Sequence, residues 1–256
     1  MVPVSTIWWR EIIRFYRQRS RLFSAIAQPL VFWILIGSGL NASFQPAGLT
    51  EEIGYIEYFY PGIVVLVLLF TAIFATISVV NERREGFLQS VLVSPVSRGS
   101  IILGQALGGT TLALIQGLLL LCLAPLIGIK SSITSIIITI GVMTLLAFGL
   151  TNLGLIIAWR MDSTQGFHAI MNLILIPIWL LSGAFFPVTG TPIWLKWVMK
   201  LNPLTYGLAA FRTGIYRNTY QQIGNIPSLT YSISIIVVFC VLTYLAATLT
   251  ASSKSI

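Results

Sequence analysis

The chain has 256 residues and a formal net charge of +8, but only 9% of its residues are charged while 56% are hydrophobic. A soluble domain has about 25% charged residues, so this chain cannot cover a water-facing surface with charge. The composition excludes an ordinary soluble protein and predicts an all-α integral membrane protein. The basic residues flank apolar runs, as in membrane proteins, so the net charge indicates no nucleic-acid partner.

Residues 1–21 predict an amphipathic helix ahead of the first apolar run. Four arginines recur at helical spacing and share one face, and aromatic residues lie away from that face. The four are Arg10, Arg14, Arg17 and Arg21. Such a helix suits the cytoplasmic surface of a membrane, and the alternative is a basic anchor that only sets the topology. The residues predicted to matter here are Trp8, Trp9, Arg10, Arg14 and Phe15.

Six apolar runs follow, each long enough to cross a bilayer as a helix. They are predicted at about residues 22–40, 59–80, 101–124, 133–157, 167–186 and 231–250. The whole chain, 1–256, is thus predicted to be one transmembrane domain, with spans one and two in 22–80, spans three to five in 101–186 and span six in 231–250.

Charge asymmetry between the loops predicts the orientation. The loop after the first run holds three glutamates and no basic residue, whereas the N-terminal segment and the loop after the second run are rich in arginine. Because basic residues favour the cytoplasmic side, both termini and residues 81–98 are predicted to be cytoplasmic.

The loop NERREGFLQSVLVSPVSR, residues 81–98, predicts a short helix. Asn81 is a suitable N-cap, and the two following glutamates fall in a first turn where the helix dipole favours acids. The Ser94-Pro95 pair would end the helix. One face would be apolar, and it would consist of Phe87, Leu88, Val91 and Leu92. Such a helix can dock in a groove of another protein or lie in the membrane interface, and both interpretations stay open.

Residues 187–205 form a second unusual segment, at the start of the long stretch 187–230 between the last two runs. Their apolar part is too short to span a bilayer and is interrupted by prolines. A piece of this kind predicts a re-entrant or interfacial element, and Trp194 and Trp197 suit the interface level. The alternative is a plain outer loop.

The sequence lacks the motifs of catalysis and nucleotide binding. It has no G-x-x-x-x-G-K-[ST] segment for a P-loop, no H-E-x-x-H, no G-x-S-x-G and no cluster of metal ligands. No acid lies centrally in an apolar run, although ion and proton pathways usually need one. These absences disfavour an intramembrane enzyme and an ion-coupled transporter.

Three segments resemble the type-2 ABC export permeases, the family of bacterial drug-resistance and lipo-oligosaccharide export permeases. In the first, 81–98, the matching residues are Glu82, Arg83, Glu85, Gly86, Leu88, Ser94 and Pro95. In the second, 181–212, they are Gly183, Pro187, Trp194, Asn202, Pro203, Tyr206 and Arg212. The third segment is the amphipathic N-terminal helix. With the six runs, these cover nearly the whole chain.

The resemblance implies a half-transporter in the inner (plasma) membrane. A second permease copy would complete the pore, and a separate ABC nucleotide-binding ATPase would bind ATP and Mg²⁺, so this chain would carry no cofactor. The resemblance implies that residues 81–98 form the coupling helix that binds the ATPase. Its coupling residues would be Glu82, Arg83, Arg84, Glu85, Gly86, Leu88, Ser94 and Pro95. The N-terminal helix would be the connecting helix. The outer re-entrant gate would use Gly183, Phe185, Phe186, Pro187, Asn202, Pro203 and Tyr206.

The predicted function is ATP-driven export of a lipid-like, glycolipid or hydrophobic drug substrate, because uncharged spans suit an amphiphile better than a small ion. Two alternatives remain. The cargo could be a lipid-linked polysaccharide, or the chain could be a membrane scaffold that shares the permease fold without transporting anything.

Overall fold

The computed structural model of the chain describes residues 2–17, 19–41, 54–86, 96–129, 132–188, 191–216 and 227–253. Within these ranges the chain is helical and contains no β-strand, which confirms the predicted all-α class. The helices are α1 (Val2–Arg17), α2 (Arg19–Asn41), α3 (Tyr55–Ala75), α4 (Ile77–Arg84), α5 (Arg98–Leu121), α6 (Ile133–Ala158), α7 (Thr164–Trp179), α8 (Ile193–Leu201), α9 (Pro203–Tyr216) and α10 (Leu229–Ser253).

Two short helical turns extend the longer helices. A 3₁₀ turn, Ala124–Ile127, follows α5, and a π-helical turn, Leu180–Ala184, follows α7. The second of these turns contains Gly183, whose φ of 85° breaks the helix. The fifth predicted span is therefore a helix with a break near its end.

In the described part of the chain, five helical segments are long and apolar enough to cross a membrane. They are Tyr55–Arg84, Arg98–Ile127, Ile133–Ala158, Thr164–Ala184 and Leu229–Ser253. They match the second to sixth predicted spans. The first predicted span lies in α2, of which the apolar stretch Pro29–Leu40 is among the fully described residues, so a sixth crossing stays a prediction.

The helix α3 lies at the centre of the bundle, where it packs against α2, α5 and α6. Its side chains are buried along almost its whole length. The reason is in the sequence, since no charged residue stands between Glu57 and Glu82 and a helix that is apolar on all sides is stable only when buried. α3 thus connects the two ends of the bundle.

The N-terminal helix α1 packs along α5 at two glycines one turn apart. A Cβ atom on Gly104 would lie 2.8 Å from Ile7 Cβ, and one on Gly108 would lie 2.7 Å from Glu11 Cβ. Glycine is therefore needed at both positions for this close approach. Of the predicted helix over residues 1–21, the structure describes residues 2–17 as α1 and residues 19–21 as the start of α2.

The structure corrects the predicted start of the charged helix at Asn81. Asn81 lies in the last turn of α4, which continues α3 after Thr76 and ends at Arg84. The Glu85 N–H donates to Asn81 O at 3.0 Å, so Asn81 acts in the C-terminal turn and is no N-cap. The N-cap rule fails here because an already formed helix propagates more easily than a new one nucleates. Glu82 and Glu85 are accordingly not in a first turn.

The remainder of the predicted coupling helix lies mostly outside the described residues. These residues, 87–95, include Leu88, Ser94 and Pro95. The chain is described again from residue 96, and Ser97 caps α5 by accepting a hydrogen bond from the Ser100 N–H. A coupling helix over 87–95 stays a prediction.

Candidate functional site

At one end of the bundle, four charged residues of α1 and α4 meet; this charged cluster consists of Arg10, Glu11, Arg14 and Glu82. The Glu82 side chain is only 1% exposed, and its Oε1 lies 2.8 Å from Arg10 Nη2 and 2.7 Å from Arg14 Nη1. Glu11 is also buried, and its Oε1 lies 3.0 Å from Arg10 Nη2. Two guanidinium groups thus neutralise two buried carboxylates.

The position of this cluster follows from helix geometry. Arg10 and Arg14 are four residues apart, so they lie one above the other on α1. Gly108 lets α1 approach α5 closely enough to bring both arginines over the end of α4. A buried carboxylate without its partners would be strongly destabilising, and therefore Glu82 fixes α1 to the end of the second span.

Arg83, the next residue, faces the loop after α6 instead. Its guanidinium donates to the carbonyl oxygens of Trp159 and Met161, and it lies 3.2 Å from Asp162 Oδ1. It also lies over the buried Trp159 ring, at 5.8 Å from the centroid. Because Trp159 is the C-cap of α6, Arg83 places a cation where a helix C-terminus favours one. The end of α4 is therefore held by two different helices.

The chain beyond Arg83 turns towards solvent. Arg84 and Glu85 are exposed, and Gly86 has a φ of 74°, a left-handed conformation that glycine adopts readily. Of the predicted coupling residues, the structure thus buries Glu82, engages Arg83 within the chain and leaves Arg84 and Glu85 accessible. We refer to this end, with α1, the end of α4 and the loop after α6, as the charged end.

The predicted aromatic residues of α1 have three different surroundings. The Trp8 Nε1–H donates to Thr111 Oγ1 of α5 at 3.0 Å. Phe15 is half-buried, and Trp9 points away from the protein with 55% of its surface exposed. α1 therefore has one face on α5 and an opposite face that is free of contacts with α5.

At the opposite end, side chains from α3 and α9 hold the break in the fifth span. The Gly183 carbonyl accepts a hydrogen bond from the Tyr58 hydroxyl at 2.9 Å and another from Arg212 Nη2 at 3.1 Å. The Tyr55 hydroxyl donates to Phe185 O at 3.1 Å. The opposite end thus brings together the start of α3, the break after α7, and the helices α8 and α9.

Arg212 of α9 is the buried charge at this end. Only 7% of it is exposed. Its Nη2 also donates to Tyr58 O at 3.2 Å, and its Cζ lies 4.3 Å from the centroid of the Tyr58 ring. Among the described residues no carboxylate lies within ion-pair distance of Arg212, so carbonyl oxygens and an aromatic face stabilise its charge.

The other residues of the predicted gate also lie at the opposite end. The Asn202 amide donates to Ile178 O at 2.6 Å, and its Oδ1 accepts from the Leu204 N–H at 3.0 Å, which caps α9. Pro203 is the first residue of α9. The Tyr206 hydroxyl donates to Lys200 O at 2.9 Å. Phe186 and Pro187 are half-buried in the segment after the break.

Both ends of the bundle fall within a single family match. Residues 3–216 match the model of the ABC-2 type transporter, which includes α1, the charged end, the break and α9. The chain belongs to the ABC-2 type transporter family. The resemblance seen in the sequence is confirmed, and the protein is a membrane permease of an ABC transporter.

Several curated permeases are similar to this ABC-2 permease. The transport permease ycf38 of Cyanophora paradoxa is 30% identical over 206 residues, which cover 79% of this chain and 70% of that protein. Nodulation protein J of Rhizobium leguminosarum bv. trifolii is 25% identical over 209 residues, covering 80% and 78%. The inner membrane transport permease YadH of Escherichia coli K12 is 24% identical over 247 residues, covering 95% and 92%.

Sequence reasoning missed the partners that complete both ends of the permease. At the charged end these are Glu11 and the loop after α6. At the opposite end they are Tyr55 and Tyr58, which are three residues apart at the start of an apolar run and therefore share a helix face. That spacing in the sequence indicated that the two tyrosines lie on one face of the helix. Their contact with Gly183, far along the chain, leaves no periodic trace in the sequence.

Proposed function

We propose that this ABC-2 permease is the membrane subunit of an ATP-driven exporter, with a separate ABC ATPase that binds at the charged end. The observation that supports it most is the pair of accessible charges at the end of α4, Arg84 and Glu85, directly after Glu82 and Arg83, whose contacts hold this helix end within the protein. ATP and Mg²⁺ would bind to the ATPase, and this chain would hold neither. The residues 87–98 would complete the docking segment.

The geometry of the charged end suits the transmission of a movement. Glu82 joins α4 to α1, and Arg83 joins α4 to the end of α6. A displacement of the docking segment would therefore act on three helices together. Such coupling requires that the ATPase binds the two conformations of the permease with different affinities.

The cargo we propose is a lipid-like molecule, a glycolipid or a hydrophobic drug, moved out of the cytoplasm or the inner leaflet. The spans carry no acid at their centres, whereas an ion pathway usually needs one there. Many large apolar side chains on the outside of α2, α5 and α10 are exposed, and lipid and a second permease copy would cover them. The permease would lie in the inner membrane with both termini in the cytoplasm, because the basic α1 lies at the charged end and basic residues favour the cytoplasmic side.

The partner can be tested by photo-crosslinking in native membranes. A photoreactive amino acid at Arg84 is expected to capture a P-loop ATPase, identified by mass spectrometry. The matched control carries the same group at Trp9 of α1, which is also exposed but lies outside the proposed docking segment. Capture of an ATPase from position 84 and not from position 9 supports the proposal. Capture of only a protein without a P-loop would favour the scaffold alternative.

A further inference from the structure

The break in the fifth span leaves carbonyl groups that other helices must satisfy. The residue four positions after Gly183 is Pro187, which has no N–H to offer. Within a continuous helix the Gly183 carbonyl would be bonded to that position. Instead it accepts from Tyr58 and Arg212. Because residue 187 is a proline, the Gly183 carbonyl needs a hydrogen-bond donor from another helix.

Arg212 connects three parts of the permease through one group. Its Nη2 lies within hydrogen-bond distance of both Gly183 O and Tyr58 O, at 3.1 and 3.2 Å. Its own helix, α9, is fixed on α6, because a Cβ atom on Gly207 would lie 2.6 Å from Leu146 Cδ1 and one on Gly214 would lie 2.8 Å from Thr139 Oγ1. The guanidinium therefore ties the break and the start of α3 to a helix that is packed tightly in the bundle.

The break also touches α3 directly. A Cβ atom on Gly62 would lie 2.8 Å from Ala184 Cβ and 3.1 Å from Ala184 O. The Trp179 Nε1–H donates to Gly62 O at 2.8 Å. The outer part of the fifth span thus rests on α3, which α4 with Glu82 and Arg83 continues within the same span, Tyr55–Arg84.

We propose that Arg212 is a positioning residue for transport. It holds the break of the fifth span against the start of α3, so that a movement of α3 driven from the charged end also moves residues 180–188. This inference rests on the proposed function, since it assumes that an ATPase drives α3. The role belongs to the planar guanidinium, which can donate to two carbonyl groups while it stacks on a ring.

The test measures how fast a cysteine just after the break reacts with an impermeant maleimide. Val188→Cys is made in a Cys122→Ser, Cys240→Ala background, and the permease is reconstituted in lipid nanodiscs with its ATPase. The labelling rate is measured without nucleotide and after trapping with ATP and vanadate. We expect the rate of this parent protein to differ between the two states.

In the Arg212→Gln variant, the cysteine at position 188 is expected to react on the order of tenfold faster without nucleotide, because the break loses hydrogen bonds from a charged donor. Its rate should no longer respond to trapping. Arg212→Lys should recover part of the response, because it keeps the charge without the planar fork. Thr213→Val is the matched control on the same helix, since within the described part of the chain the Thr213 hydroxyl bonds only Ala209 O of α9, and it should behave like the parent.

Parent-like rates and a parent-like response in Arg212→Gln would overturn the inference. If Arg212→Gln does not assemble, Tyr58→Phe removes the hydroxyl that donates to the same Gly183 carbonyl. This variant should also label faster, and an unchanged rate would overturn the inference equally. A parent that binds no ATPase and shows no response to nucleotide contradicts the proposed function, while the nucleotide-free rates still decide the role of Arg212.

Discussion

At the scale of single residues, the Glu82 carboxylate carries the link between α1 and α4. The two arginines that reach its Oε1 are 30% and 35% exposed, whereas Glu82 itself is 1% exposed. An arginine at the surface can turn to water, but the carboxylate cannot. Removal of the carboxylate charge should therefore release α1 from α4 without damage to the apolar core.

Glu82→Gln is expected to lower the free energy of unfolding in detergent by roughly 1–3 kcal/mol, because it removes the negative charge that two partly buried guanidinium groups share. Thermal unfolding and limited proteolysis after α1 would measure this loss. Glu85→Gln is the matched control, since Glu85 is exposed. Equal stabilities of the two variants would contradict the role given to Glu82.

At the scale of helices, the apolar runs carried most of the information that the sequence offered. Their lengths predicted six crossing helices, and the described residues contain five helical segments long and apolar enough to cross, because the partition of an apolar segment into a membrane depends mainly on its own length and composition. The start of a helix at Asn81 was predicted wrongly, because the local cap rule takes no account of α4, which continues α3 and already includes this residue. The break in the fifth span had signals in Pro177, Gly183 and Pro187.

What the sequence could not give was the partners of these elements. Arg212 was recognised only as a landmark of a resemblance, and its contacts with Gly183 and Tyr58 join three helices that are far apart in the chain. Likewise the spacing of the arginines in α1 predicted one basic helix face, but not that Arg10 and Arg14 of this face bind Glu82. Such pairings depend on which helices pack against each other. The periodicity of a sequence indicates which face of a helix is apolar or charged, but not which other helix that face contacts.

Gly108→Leu is expected to separate α1 from α5, because the first atom of the new side chain would already lie 2.7 Å from Glu11 Cβ. The loss should appear as faster proteolysis of α1 and weaker protection of Trp8 against quenching by water-soluble agents. Gly141→Leu is the matched control, since a Cβ atom on Gly141 has no neighbour within 4 Å. If α1 were equally protected in both variants, the close packing on α5 would be refuted.

At the scale of the whole molecule, the proposed orientation places the charged end in the cytoplasm and the opposite end outside. In a Cys122→Ser, Cys240→Ala background, Trp194→Cys should react with an impermeant maleimide added to intact cells, whereas Glu85→Cys should react only after permeabilisation. Both positions are exposed in the structure, so access to the reagent depends on the side of the membrane. The reverse pattern would overturn the orientation.

The most direct measurement of the proposed function is the composition of the complex purified from native membranes. The tagged permease is extracted in mild detergent, with and without prior cross-linking, and its partners and stoichiometry are determined by native mass spectrometry. We predict two permease chains with two P-loop ATPase chains, and an ATPase fraction that falls sharply in an Arg84→Glu, Glu85→Arg variant while the permease stays folded. A permease that carries no ATPase even after cross-linking would contradict the assignment of the charged end as the site of coupling.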